Sequence, residues 1–232
     1  MAALVRPATV PAAAAPAAPS ATDESGVRMP DGRLVVREMV DDNSCLFRTI
    51  GFIFERDAEA APRLRKLVSA AIAANPLEYS EAILGRSPAA YMSWIEKPSS
   101  WGGAIELAIF ADHYRVEIDS IDVATGRMDR FGEGRFTSRA FVLYSGIHYD
   151  ALALSPSEGA PAEFDQTVFE GAAAERAAAA AQQLAQIWKQ RRRFTDTARF
   201  TLRCGDCGQR VAGEREALAH AAATGHGAFS EV

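Results

Sequence analysis

Cysteine, histidine and long apolar runs are all scarce in this chain of 232 residues. It has three cysteines and four histidines. An odd, small cysteine count argues against a disulfide framework and for a reducing compartment. No apolar run approaches the roughly 20 residues that would span a bilayer, which excludes a helical membrane protein. Excess positive charge is missing too. The net charge is −5 and the pI is about 5.5, so the chain as a whole is not built for nucleic acid. The opening stretch MAALVRPATVPAAAAPAAPSATDESG has no acid before Asp23 and no apolar run unbroken by proline. A secretory leader needs such a run, and an organellar transit peptide, the alternative, is richer in Arg and Ser. Residues 1–30 are therefore expected to form a disordered Ala/Pro-rich tail. Together these features suggest the cytoplasm and leave the nucleus open.

What is present suffices for one sizeable core with a small appendage, since 48% of the residues are hydrophobic. LVVREMV (34–40) reads as a strand, with order expected to begin near Arg33. SCLFRTIGFIFERD reads as a helix with Ser44 as its N-cap and Cys45 in its first turn. PRLRKLVSAAIAAN has apolar residues at 64, 67, 68, 71 and 72, a helical spacing opened by Pro62. SPAAYMSWIEK and WGGAIELAIFADHY add two more helices. The strand candidates RVEIDSIDV, MDRFG, RAFVLYSG and IHYDALAL follow. Helices first and strands late in one block predict an α+β domain over residues 31–155. A linker and an alanine-rich helix ending in KQRRR are expected over 156–198, and a separate unit over 199–232.

In DDNSCLF (41–47), Cys45 follows two aspartates, an asparagine and a serine. Such surroundings suit a thiol that reacts, because the start of a helix favours a thiolate. A base must come from elsewhere. His113 lies mid-helix beside Tyr114 and reads as structural. His148 stands in YSGIHYDAL, two residues before Asp150. Residues two apart on a strand share a face, so Asp150 can hold the imidazole in its useful tautomer. Read as an exposed acid, Asp150 is expected to add little to stability.

Cys204 and Cys207 form C-x-x-C. After twelve intervening residues, His220 and His226 form H-x-x-x-x-x-H. The spacing fits a tetrahedral zinc site, with a turn carrying the thiolates and a helix carrying the imidazoles. About 30 residues cannot build a core of their own, so the metal should supply the folding energy. Residues 189–215 hold eight Lys/Arg against three Asp/Glu, leaving a net −10 elsewhere. The finger's helix, EREALAHAAATGH, lacks the side chains that read bases, so a protein-binding role is favoured over DNA.

DDNSCLF, WGGAIEL and GIHYDAL, in this order and with the finger behind them, resemble the ovarian-tumour (OTU) family of cysteine deubiquitinases. The resemblance is to the ubiquitin thioesterase branch with a C-terminal zinc finger and covers roughly residues 33–232. It implies a papain-like protease fold and cleavage after the C-terminal glycine of ubiquitin, with ubiquitin and polyubiquitin chains as partners. Cys45 would be the nucleophile and His148 the general base. Asp42 would take the acidic position of the loop before the cysteine. Backbone N–H groups of that loop, including that of Cys45, would hold the oxyanion. Trp101–Gly102–Gly103 would lie near the path of ubiquitin's Gly-Gly tail, or else form a helix-start turn with a packing tryptophan. The branch often carries an N-terminal adaptor domain that docks on a AAA ATPase segregase. Here an Ala/Pro-rich stretch stands in that place. Two other functions remain open. Intact Cys45 and His148 oppose a ubiquitin-binding scaffold without catalysis. The acidic main block opposes a zinc-finger nucleic-acid binder.

Overall fold

The computed structural model describes residues 26–196, 201–226 and 229–231. Most of the expected disordered tail lies outside them. Its last residues do not belong to a tail: β1 (Val27–Met29) pairs antiparallel with β2 (Gly32–Arg37), Val27 opposite Leu34. Order therefore begins before Arg33, and β2 stops short of the expected Val40.

Five helices follow: α1 (Cys45–Glu55), α2 (Ala61–Ala74), α3 (Glu81–Leu84), α4 (Pro88–Ile95) and α5 (Ala104–Tyr114). The start signals act as expected at two of them. Pro62 sits in the first turn of α2, and the Ser87 hydroxyl accepts from the Ala90 N–H at 3.4 Å at the start of α4. Helix α3 has no counterpart in the sequence reading, because one turn is too short to show a period. Then come β3 (Glu117–Asp122), β4 (Met128–Phe131), β5 (Ser138–Tyr144) and β6 (Tyr149–Ser155). The sheet order is β1-β2-β6-β5-β3-β4; β3 and β5 run parallel and the other neighbours antiparallel. The class is α+β, with two strands ahead of the helices where the sequence showed one.

Period two divides the sheet between two cores. Ala140, Val142 and Ala151 face α1, α2 and α5 with Phe47, Ile50, Leu64 and Phe110. Phe141, Leu143 and Leu152 face the other way. What covers that second face corrects the expected domain end at Ser155. Gln166 bridges back to Leu154, with backbone bonds of 2.8 and 2.9 Å. β7 (Val168–Glu170) pairs antiparallel with β5. α6 (Gly171–Gln190) then lays Ala174, Ala177, Ala181, Leu184 and Trp188 on the sheet. The supposed linker and helix are thus a third layer of the same fold. Within the linker, Asp165 pairs with Arg37 of β2 at 2.6 Å. An amphipathic stripe announces a buried face without naming what buries it.

A small unit completes the chain: β8 (Thr201–Cys204), β9 (Arg210–Ala212), α7 (Gly213–Thr224) and β10 (Phe229–Glu231), with sheet order β10-β8-β9. Among the described residues no helix is long and apolar enough to cross a membrane.

Candidate active site and zinc finger

The loop before Cys45 is folded by its own polar groups. Asp42 Oδ1 accepts from the Ser44 N–H at 2.8 Å, and the Asp42 carbonyl accepts from the Cys45 N–H at 3.2 Å. Asp42 Oδ2 takes Arg48 Nε at 3.1 Å and Nη2 at 3.0 Å. Burial pushes the Asp42 carboxyl up, but the bonds from Arg48 and the Ser44 amide outweigh it and hold the group below its usual range. Ser44 occupies the N-cap position of α1, yet its hydroxyl does not cap the helix. It accepts instead from Arg65 Nη2 at 3.0 Å. The first amides of α1 receive no side-chain acceptor, and the positive end of the helix is left to the Cys45 thiol, which is buried at 7% exposure.

His148 arrives from the turn between β5 and β6. Gly146 makes that turn at φ 103°, a conformation that favours glycine. The Ser145 N–H closes it onto the His148 carbonyl at 3.0 Å. The Thr49 hydroxyl donates to the Tyr149 carbonyl at 3.0 Å, pinning α1 to the start of β6 and so bringing the imidazole to the thiol. Nε2 of His148 lies 3.1 Å from Asp150 Oδ1, and Asp150 Oδ1 also accepts from the Met39 N–H at 2.8 Å. Nδ1 is buried without a well-aligned partner, 3.6 Å from the exposed Asp41 carboxylate, and is the nitrogen left for the thiol. The hydrogen bond to Asp150, then the nearby Cys45 thiol, push the imidazolium up to about 10, against burial acting the other way.

Of the two acids singled out in the sequence, Asp150 meets the ring, while Asp42 is committed to Arg48 and its own loop. Asp150 is 3% exposed, so the expectation of an exposed acid is corrected. The expected oxyanion donors are engaged within the loop here, the Cys45 N–H with the Asp42 carbonyl and the Ser44 N–H with Asp42 Oδ1. Trp101 is 54% exposed and is no packing tryptophan; its indole N–H donates to Asn43 Oδ1. A Cβ on Gly102 would come within 2.7 Å of Leu46 Cδ2 and 3.1 Å of the Phe47 ring, so glycine is what lets this segment lie on α1. Two contributors escaped the sequence reading. Glu106, 2% exposed, accepts from the Gly103 N–H and the Tyr91 hydroxyl, each at 2.7 Å, while burial raises its pKa. The signal was Gly103-x-x-Glu106, half of a capping box. Arg65, the second, is taken up below.

In the last unit, Cys204 ends β8 and Cys207 lies in the turn closed by the Gly208 N–H on the Cys204 carbonyl, 2.8 Å. His220 projects from α7. His226 does not share that helix, as the sequence reading had it: Gly225, at φ 77°, ends α7 and the chain carries His226 back. One ligand atom from each of the four lies within 4.8 Å of all the others. Tetrahedral zinc with these donors needs spacings of about 3.3–3.8 Å, and Cys207 Sγ already stands 3.5 Å from His220 Nε2. Nδ1 of His226 is buried without a hydrogen-bond partner. The donor set fits the metal.

A thiol at a helix start, an imidazole beside it and a buried carboxylate under the ring are the arrangement of a cysteine hydrolase. Residues 198–232 match the family model described as the C-terminal C2H2-type zinc finger of ubiquitin thioesterase OTU1. The chain is 45% identical over 206 residues to the ovarian tumor domain-containing deubiquitinating enzyme 2 of Arabidopsis thaliana, covering 87% of this chain and 99% of that one. It is 42% identical to ubiquitin thioesterase OTU1 of Dictyostelium discoideum over 82% of this chain, and 41% identical to that of Homo sapiens over the same share. It spans 59% and 55% of the lengths of those two. Its fold is similar to a solved ovarian tumor domain in complex with ubiquitin, with a TM-score of 0.64 and 35% identity over 70% of this chain and 90% of that one. The chain belongs to the OTU family of cysteine deubiquitinases, in its ubiquitin thioesterase OTU1 branch.

Proposed function

We propose that the chain hydrolyses bonds after the C-terminal glycine of ubiquitin, including isopeptide bonds to lysine. Cys45 is the nucleophile, His148 the acid and base, Asp150 the orienting carboxylate, and Asp42 the organiser of the loop. The His148 ring, fixed by Asp150 at 3.1 Å and raised in pKa by that carboxylate and then by the Cys45 thiol, carries this reading. The Cys45 thiolate attacks the glycine carbonyl carbon. The oxyanion forms against the 42–45 loop, which exchanges its internal bond from the Cys45 N–H for one to substrate. As the C–N bond breaks, the imidazolium protonates the departing lysine nitrogen, leaving a thioester. Neutral His148 then takes a proton from water, the resulting hydroxide attacks the thioester carbonyl, and the thiolate leaves. Ubiquitin bearing a C-terminal thiol-reactive electrophile tests the reading. Labelling should be stoichiometric and map to Cys45; a chain left unlabelled would sink it.

The raised imidazolium sets the pH response. A folded-state pKa of about 10, above the free value, means that the contribution of His148 to stability is complete below pH ~6.5 and fades as pH rises through 10. Turnover of an isopeptide substrate should hold through neutral pH and fall as pH nears 10, where the acid for the leaving amine loses its proton. Asp150→Asn should move that alkaline limb to lower pH. A limb that stays in place in the variant would dissociate Asp150 from the imidazolium.

Cys204, Cys207, His220 and His226 hold one zinc ion, whose chemistry is structural. One equivalent should copurify. Chelation should unfold residues 201–226 and leave turnover of a small fluorogenic ubiquitin substrate within about twofold, since no residue of the thiol site lies there. Zinc retained by a Cys204→Ser, Cys207→Ser double variant would count against this site.

A further inference from the structure

Arg65 lies on α2 with 2% exposure, and no carboxylate stands within 4 Å of it among the described residues. A guanidinium in that position is costly unless its donors are met. Here all but Nε are met, and by neutral oxygens. Nη1 donates to the Ile95 carbonyl at 2.8 Å, and Nη2 approaches the carbonyls of Asn43 at 3.0 Å, Ser100 at 2.8 Å and Pro98 at 3.3 Å, besides the Ser44 hydroxyl. Nε has no partner. The guanidinium carbon stands 4.0 Å from the centre of the Phe47 ring, two residues past the nucleophile. Burial lowers the Arg65 pKa, while Glu106, Asp42 and Cys45 raise it through space.

The consequence falls on one peptide plane. The Asn43–Ser44 carbonyl is held by Arg65, and its N–H is held by Asp42 Oδ1. The peptide is gripped at both ends, with its carbonyl dipole turned to the guanidinium. The same cation ties this loop to residues 95–100, the run leading into Trp101–Gly102–Gly103.

We propose that Arg65 is a positioning residue: it sets the nucleophile loop by gripping the Asn43–Ser44 peptide, and it stands as a fixed positive charge behind the Cys45 thiolate and the oxyanion. This rests on the reading of Cys45 as the nucleophile. The other ionisable groups around the thiol are His148 from the β5–β6 turn, Tyr149 and Asp150 of β6, Asp41 and Asp42 of the loop, Arg48 of α1 and Glu106 of α5; all are unchanged in the variants below.

The test uses the full chain with Arg65→Met and Arg65→Lys. The first readout is the rate at which iodoacetamide alkylates Cys45, followed by mass spectrometry from pH 5 to 9 without any ubiquitin. The second is kcat and KM on a fluorogenic ubiquitin substrate. Arg65→Met should slow alkylation at pH 6 by roughly tenfold, with the rates converging at pH 9. Its kcat should fall by about ten- to a hundredfold with KM nearly constant. Arg65→Lys keeps the charge but not the fork, so alkylation should recover while kcat recovers only in part. A folded Arg65→Met chain with wild-type alkylation and kcat overturns the proposal. So does an Arg65→Lys chain that alkylates as slowly at pH 6 as Arg65→Met, for then the charge plays no part. Should Arg65→Met not fold, Arg65→Lys decides alone, and full kcat in it overturns the loop role. Failure of the functional reading would look different: a wild-type chain that alkylates at Cys45 but takes no label from the ubiquitin electrophile.

Discussion

Cys45→Ala should lower hydrolysis of a fluorogenic ubiquitin substrate to less than about a thousandth of the wild-type rate, while ubiquitin binding stays measurable. The size of the effect follows from covalent chemistry. No other cysteine is near the imidazole, since Cys204 and Cys207 belong to the finger ligand set, and water held by His148 alone is a much poorer nucleophile than a thiolate at a helix start. Binding should survive because it draws on surface outside the thiol, where Trp101 and Val40, 54% and 59% exposed, flank the loop. The fold should survive as well. The substitution removes one sulfur from α1, and Asp150 still pairs with the imidazolium. Titration calorimetry with ubiquitin and steady-state turnover on the same preparation make the check. More than a few per cent of residual turnover would remove Cys45 from the chemistry.

The second large effect separates the two acids. Asp150→Ala should cut kcat by roughly a hundredfold to ten-thousandfold through the lost orientation of the ring. It should also lower the melting temperature. Asp150 is buried and serves two donors, so its removal strands the His148 ring and the Met39 N–H together. Asp150→Asn should recover part of both losses, because an amide oxygen still accepts. Asp42→Ala acts elsewhere. It leaves the Ser44 amide without its acceptor and Arg48 with only Ala58 and Glu59, and so loosens the loop; kcat should fall less, and the alkaline limb of the pH profile should stay where it is. Turnover near normal in Asp150→Ala with a collapse in Asp42→Ala would exchange the two roles.

How much of this was legible in the sequence depended on distance along the chain. Ser87-Pro88 and Pro62 marked helix starts because a cap is a local bond. The three-residue strands β1 and β7 left no trace, since so short a run shows no alternation. Ser44 was legible as a cap position but not in its partner: the hydroxyl goes to Arg65, and nothing in residues 41–47 announces a cation on α2. Arg65 itself left a faint signal. It sits on the buried stripe with Ala61, Val68 and Ile72, where an arginine has no business unless something is built around it. Read only for its apolar residues, that helix hid its most consequential side chain.

The sequence by itself determined the groups that can react: one thiol at a helix start, one imidazole two residues from a carboxylate, and four metal donors at finger spacing. Those follow from covalent neighbourhood, where a few residues of spacing dictate which side chains share a face or a turn. The tertiary structure alone decided that the start of β6, with His148 and Asp150, is pinned to α1 beside the thiol, that α6 closes the second face of the sheet, and that a guanidinium lies behind the nucleophile loop. Each depends on segments far apart in the chain meeting at distances near 3 Å, and only the packing of the two cores on opposite faces of one sheet sets which segments those are.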